Sequence, residues 1–229
     1  GGTADFSTQT YRTDGTYGTL PTIAARPGFE FKGWFTAPDG GQEVTAASAV
    51  DFTATTLYAI FETSLGTALN NTELSFVSST WKGLSGVTHD GVAAACAGGL
   101  DWLQTNALST AVSGSGTLSF WWRTDAGDAP ADAQLELIVD GKVRRLRGKR
   151  FGLYGPKANV TDEWRQFSLV LEGSGPHTVV WSAYVEYDMW YGSEIPSLRA
   201  FCARMPNAWV DQVVWAPQKN ADAVKWLDS

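Results

Sequence analysis

The chain is built from short alternating runs, not long amphipathic stretches. In Leu118-Ser119-Phe120-Trp121-Trp122-Arg123, the residues Leu118, Phe120 and Trp122 share one side of an extended backbone, because successive side chains of a strand point to opposite faces. Leu135, Leu137 and Val139 form a second such set, Phe167, Leu169 and Leu171 a third, and Val179 with Trp181 a fourth. In the last run Trp209, Val213 and Trp215 read as the inward set, with Asp211 on the face of Trp209 and Val213. Asp140-Gly141-Lys142 supplies a tight hairpin turn, and "SGSG" and "EGSGPH" break the other runs. No ten-residue stretch combines helical spacing with caps. From Leu65 to Pro217 this pattern predicts an antiparallel β-sandwich, most simply a jelly roll.

The first 62 residues carry shorter runs between denser turn signals. Phe29-Glu30-Phe31-Lys32 alternates and runs on into Trp34 and Phe35, Ala37 to Gly41 ("APDGG") is turn chemistry, and Leu57, Ala59 and Phe61 line one face of a closing strand. Trp34 is expected in the core of this small unit, which has few other large side chains to bury. "GTLP", "PGFEFKGWFT", a Gly-Gly turn and "TLYAIF" follow one another in the order of the Listeria–Bacteroides repeat, the internalin B-repeat-like module, and residues 1–62 resemble that family. The resemblance implies a β-grasp-like mini-domain with a short helix, found in tandem on bacterial surface proteins as a spacer or interaction module.

The second region is similar to jelly-roll modules of large secreted bacterial proteins and to sandwich carbohydrate-binding modules. "VSGSGTLSFWWRTD", "LELIVDG", "WRQFSLVLEGSGPHTVVWSAY" and "AWVDQVVW" carry that resemblance. The organisation expected is a repeat at 1–62, a sandwich at 66–217 and a linker at 218–229. The opening Gly1-Gly2, without methionine, reads as the cut end of a longer protein.

Composition narrows the partner. Eleven tryptophans stand against two methionines, and Trp beyond core needs lines surfaces that hold sugars or proteins. A net charge of −7 argues against nucleic acid, and no apolar run approaches a membrane span. Thr- and Ser-rich strands with few charges suit an extracellular protein, and the two resemblances imply a secreted or bacterial cell-surface one, expected to be monomeric and joined to other domains of the same polypeptide.

Four pieces of chemistry stand out. The segment between the last two strands is enlarged, and Tyr187, Asp188, Trp190, Tyr191, Arg199 and Arg204 have the composition of a glycan site: rings to stack on sugar faces, charged groups for hydroxyls. The same segment could equally pack on itself. Its carboxylates, Glu186, Asp188 and Glu194, miss the E-x-D-x-x-E register that would place three acids on one strand face, so no hydrolase is expected. His89 and His177 lack a nucleophile elbow, and His89 reads as a turn or structural residue. In "KVRRLRGKR", Lys142, Arg144, Arg145, Arg147, Lys149 and Arg150 concentrate positive charge, either as an anionic-ligand patch or as an edge strand protected by charge. Cys96 and Cys202 are the only cysteines, and either a disulfide or two buried thiols fits them. A buried Asp211 needs a partner. The alternatives are backbone donors with an arginine, or a structural calcium helped by Asp90 or Glu73, as the sandwich resemblance implies. No other cofactor is expected. The function expected is non-catalytic attachment of a larger bacterial protein or enzyme to polysaccharide or glycoconjugate. A structural or protein–protein adhesin module without glycan binding is the alternative.

Overall fold

In the computed structural model the described residues are 3–4, 13–39, 41–52, 56–100, 104–125, 131–146, 161–187 and 207–218. They form a mainly β protein with antiparallel sheets. The strands are β1 (Thr3–Ala4), β2 (Ile23–Ala24), β3 (Glu30–Phe35), β4 (Glu43–Val44) and β5 (Tyr58–Thr63). One short helix follows, α1 (Leu65–Ala68), then β6 (Lys82–Leu84), β7 (Ala94–Ala97), β8 (Thr105–Ser113) and β9 (Gly116–Thr124). The last five are β10 (Ala131–Val139), β11 (Lys142–Leu146), β12 (Thr161–Leu171), β13 (Pro176–Tyr187) and β14 (Ala208–Pro217). Among the described residues no helix is long and apolar enough to cross a membrane.

The strands from β7 onward are dealt to two facing sheets in the order of a jelly roll. One sheet runs β11-β10-β13-β8; the facing part of the other runs β12-β9-β14-β7. The alternation read from the sequence sets the core. Leu118, Phe120 and Trp122 of β9 meet Leu135, Leu137 and Val139 of β10 and Val179 and Trp181 of β13 in one cluster. Trp181 packs edge-on against Phe120, with ring centres 5.4 Å apart. The β10–β11 turn closes with Val139 opposite Lys142, and Asp140 and Gly141 take φ of 50° and 75°, the left-handed pair such a two-residue hairpin requires.

Strand β14 departs from the expected pattern. Trp209 and Val213 do not share a face: Ala208, Val210 and Val213 enter the sandwich core, whereas Trp209 joins a second cluster with Ala94 and Cys96 on the opposite side of the sheet. The cause is a bulge. Register shifts between Asp211 and Val214, and Gln212 takes a φ of 50°. One extra residue in a period of two reverses every side chain after it. Asp211 therefore stays with Trp209 and is separated from Val213.

In the repeat, β3 pairs with β4 and β5, and the described residues 13–39, 41–52 and 56–62 hold no helix of the kind the resemblance implied. Trp34 is half-buried, its ring meets Phe31 at 5.9 Å, and its indole N–H donates to the Pro21 carbonyl at 3.1 Å. It belongs to neither buried cluster, so the core role expected of it is met only in part. The sheet does not stop at the end of the repeat. Its order continues β12-β9-β14-β7-β6-β5-β3-β4, with β6 pairing β7 on one side and β5 on the other.

Candidate functional site

Connections at the two ends of the sandwich differ in length. At one end β8 turns into β9 through residues 114–115, β10 into β11 through 140–141, and β12 into β13 through 172–175. At the other end four long connections cross between the sheets: 98–104, 125–130, 147–160 and 188–207. Register places them together. Thr161 and Ala208 both lie opposite Thr124, Ala208 also lies opposite Ala97, and Ala131 lies opposite Tyr187. Asp125, just beyond β9, accepts the Ala133 N–H at 3.0 Å and so joins the two sheets at this end.

The predicted ligand residues fall around these connections. Tyr187 is the last residue of β13, and only its backbone is described. Asp188, Trp190, Tyr191, Arg199 and Arg204 lie outside the described residues, as do Arg147, Lys149 and Arg150 of the basic run. Of that run, Arg144 and Arg145 are exposed on β11, the edge strand of its sheet. They point to opposite faces. Arg144 sits across from the buried Leu137, while Arg145 sits across from Glu136 and bonds it, Nε to Oε1, at 2.9 Å. The Tyr184 hydroxyl donates to the same Glu136 oxygen at 3.1 Å, so the Arg145 charge is already engaged.

Where three of these connections meet the strands lies a buried polar hub. Asp125 Oδ1 accepts the Asn207 backbone N–H at 2.6 Å, and Asn207 Oδ1 accepts the Gly99 N–H at 3.2 Å. The Asn207 amide also donates to the Asp39 carbonyl at 3.2 Å, reaching into the repeat. These bonds position backbone and leave no obvious reactive group.

Sequence reasoning missed a cluster on the outer face of the larger sheet. The His89 ring stacks on Trp121 at 3.8 Å and meets the edge of Trp164 at 5.8 Å, and its Nδ1 bonds Gln212 Oε1 at 2.6 Å. Arg123 lies over Trp209 at 5.4 Å. Strand alternation held the signal: with Trp122 inside, Trp121 must face outward and needs a cover. His89 provides that cover, in keeping with its structural reading.

Asp211 lies under this cluster, fully buried. Its Oδ2 accepts the backbone N–H of His89 at 2.7 Å and that of Asp90 at 3.4 Å, while Oδ1 has no partner. Burial pushes its carboxyl up to about 6, opposed by the His89 N–H and aided by the nearby Asp90. Calcium takes six to eight oxygens. Here two N–H donors occupy Oδ2, and Asp90 is itself committed to the Asn70 amide at 2.8 Å and the Val92 N–H at 2.7 Å. No group of three or more His, Cys, Asp or Glu suited to a metal occurs among the described residues. This donor set does not fit a calcium cage. Among the described residues, the backbone N–H groups of His89 and Asp90 meet the carboxylate.

Cys96 is a free, buried thiol beside Trp209 and Ala94, and Cys202 lies outside the described residues. Burial, then the charges of Asp125 and Asp39, holds its pKa far above the ordinary thiol value, so it is no nucleophile at neutral pH. His177 Nδ1 bonds Asp140 Oδ2 at 2.7 Å beside the β10–β11 turn.

No curated protein matches the chain in sequence. Among solved structures it is similar to TmCBM61 in complex with β-1,4-galactotriose, with 11% identity and a TM-score of 0.36 over 64% of this chain and 90% of that one. A cleaved adhesin domain of Lys-gingipain from Porphyromonas gingivalis aligns with 13% identity and a TM-score of 0.40, over 69% and 98% of the two chains. The secreted serine protease VesC from Vibrio cholerae aligns with 11% identity and a TM-score of 0.32, over 70% of this chain and 25% of that one. Residues 1–60 match the protein-family model of the Listeria-Bacteroides repeat domain.

Proposed function

We propose that this chain is a non-catalytic extracellular module of a bacterial protein, attaching a larger polypeptide or enzyme to carbohydrate. The observation that supports the reading most is the convergence at one sandwich end. The connections that carry Tyr187 to Arg204 and Arg147 to Arg150 leave and re-enter the sheets together, although some forty residues apart in sequence. The site proposed is that end, with Tyr187, Trp190 and Tyr191 stacking on sugar rings and Asp188, Arg199 and Arg204 binding hydroxyls. Holding a sugar chain takes aromatic faces and polar groups of these kinds and no reacting group.

The test is retention of the whole chain on affinity gels of neutral and uronic polysaccharides. Trp190→Ala should abolish retention while leaving thermal unfolding unchanged. Absence of retention on every glycan tried would sink the reading in favour of a structural or protein–protein adhesin module. The pairing of Arg145 with Glu136 on an edge strand favours that alternative for the basic hairpin alone, since charge there also blocks sheet extension.

A further inference from the structure

We propose that the repeat and the sandwich are one folding and mechanical unit spliced at β6, in which the repeat serves as a fixed arm beside the long-connection end.

Chain path is the first argument. β5 ends at Thr63, and Ser64 then caps α1, its hydroxyl accepting the Thr67 N–H. Leu69, the next residue after α1, is already in the sandwich core, and its carbonyl accepts the Val213 N–H at 2.9 Å. No length of free linker separates the two parts.

The seam itself is the second. Glu62 and Thr63 pair with Leu84 and Gly83, the Ser85 N–H donates to the Phe61 carbonyl at 3.0 Å, and the Ser85 hydroxyl accepts the Phe61 N–H at 3.0 Å. Two glycines let the backbones close. A Cβ on Gly83 would lie 2.7 Å from the Thr63 carbonyl oxygen, and one on Gly86 would collide with the Pro38 carbonyl and lie 2.8 Å from Ile60 Cδ1. Ile60 thus buries the face of β5 opposite Phe61, and both are buried. A module exposed on that face would show a polar residue there.

Polar ties at two further points fix the angle. Arg26 donates to the Val92 carbonyl at 3.2 Å, and Asn207 donates to the Asp39 carbonyl at 3.2 Å. The second tie anchors the repeat's 36–42 turn next to the end where Tyr187 leaves β13. The arm therefore has a set direction relative to that end.

Calorimetry of the whole chain, with hydrogen exchange read separately on β5 and β9, tests this. One transition with equal calorimetric and van't Hoff enthalpies is expected, and β5 amides should exchange through the same opening as those of β9. Two separable transitions in the unmodified chain, or unprotected β5 amides beside a protected β9, would overturn the proposal. Gly86→Val pushes a side chain into the seam, between Pro38 and Ile60. It should split the transition or speed exchange in β5 and β9 together; an unaltered single transition overturns the role of the seam. Arg26→Ala is the milder variant. Faster exchange spreading across β5, β6 and β7 supports the splice, and acceleration confined to β3–β5 defeats it.

Discussion

The backbone N–H of His89 lies 2.7 Å from Asp211 Oδ2, a bond that closes 122 residues of chain. It holds the segment before β7 down on the outer face of the sheet, where the His89 ring covers Trp121. Asp211→Ala leaves those N–H groups buried without an acceptor. It should cost about 1–3 kcal/mol in urea unfolding. Asp211→Asn keeps one acceptor oxygen and should cost less than the alanine variant by the same measurement.

The same carboxyl gives a pH dependence with a definite sign. Its pKa in the folded protein is about 6, above the 3.8 of an unperturbed aspartate. Between those values the folded chain keeps a proton that the unfolded chain has released. Stability from this group is therefore greatest in acid and falls as pH rises toward about 6. Asp140 works in the opposite sense. The His177 hydrogen bond, then the Thr178 N–H, lowers its pKa, so its contribution is present above the ordinary carboxylate range and lost as pH falls through the lowered value. On going from about pH 4.5 to about pH 7 the urea midpoint should fall further, or rise less, for the wild type than for Asp211→Asn. Equal differences would refute the assignment of the slope to Asp211.

Gly141 sits at φ 75° with no atom within 4 Å of an added Cβ. Steric space is therefore not the constraint, and backbone conformation is. Gly141→Val should destabilise by about 1–2 kcal/mol through the left-handed conformation alone. Thermal unfolding checks the size, and preserved far-ultraviolet circular dichroism would show that the strands survive.

Trp181 is fully buried between the sheets and touches both Phe120 and Phe76. Trp181→Ala should cost about 3–5 kcal/mol, enough to consume much of a domain's stability. Trp181→Phe keeps most of the apolar volume and should cost clearly less. Denaturant unfolding of the two variants separates cavity cost from any special role of the indole.

Local pattern determined the β class, the sandwich, the inward sets of β9, β10 and β12 and the Asp140-Gly141 hairpin. Each of these depends on period-two alternation or on the φ that a single residue tolerates, and both are properties of neighbouring residues. Tertiary structure decided three other matters. The bulge at Gln212 separated Trp209 from Val213, because one inserted residue is invisible to a hydrophobicity pattern yet inverts a strand. Asp211 met its partners 122 residues upstream, a pairing that exists only once β14 lies beside the 87–92 segment. The join between repeat and sandwich likewise formed at Gly83 and Gly86, where missing side chains let two backbones touch. Alternation is written in adjacent residues and can be read there. Register, bulges and seams are settled by which distant backbones find each other's hydrogen bonds, and only the folded chain brings those together.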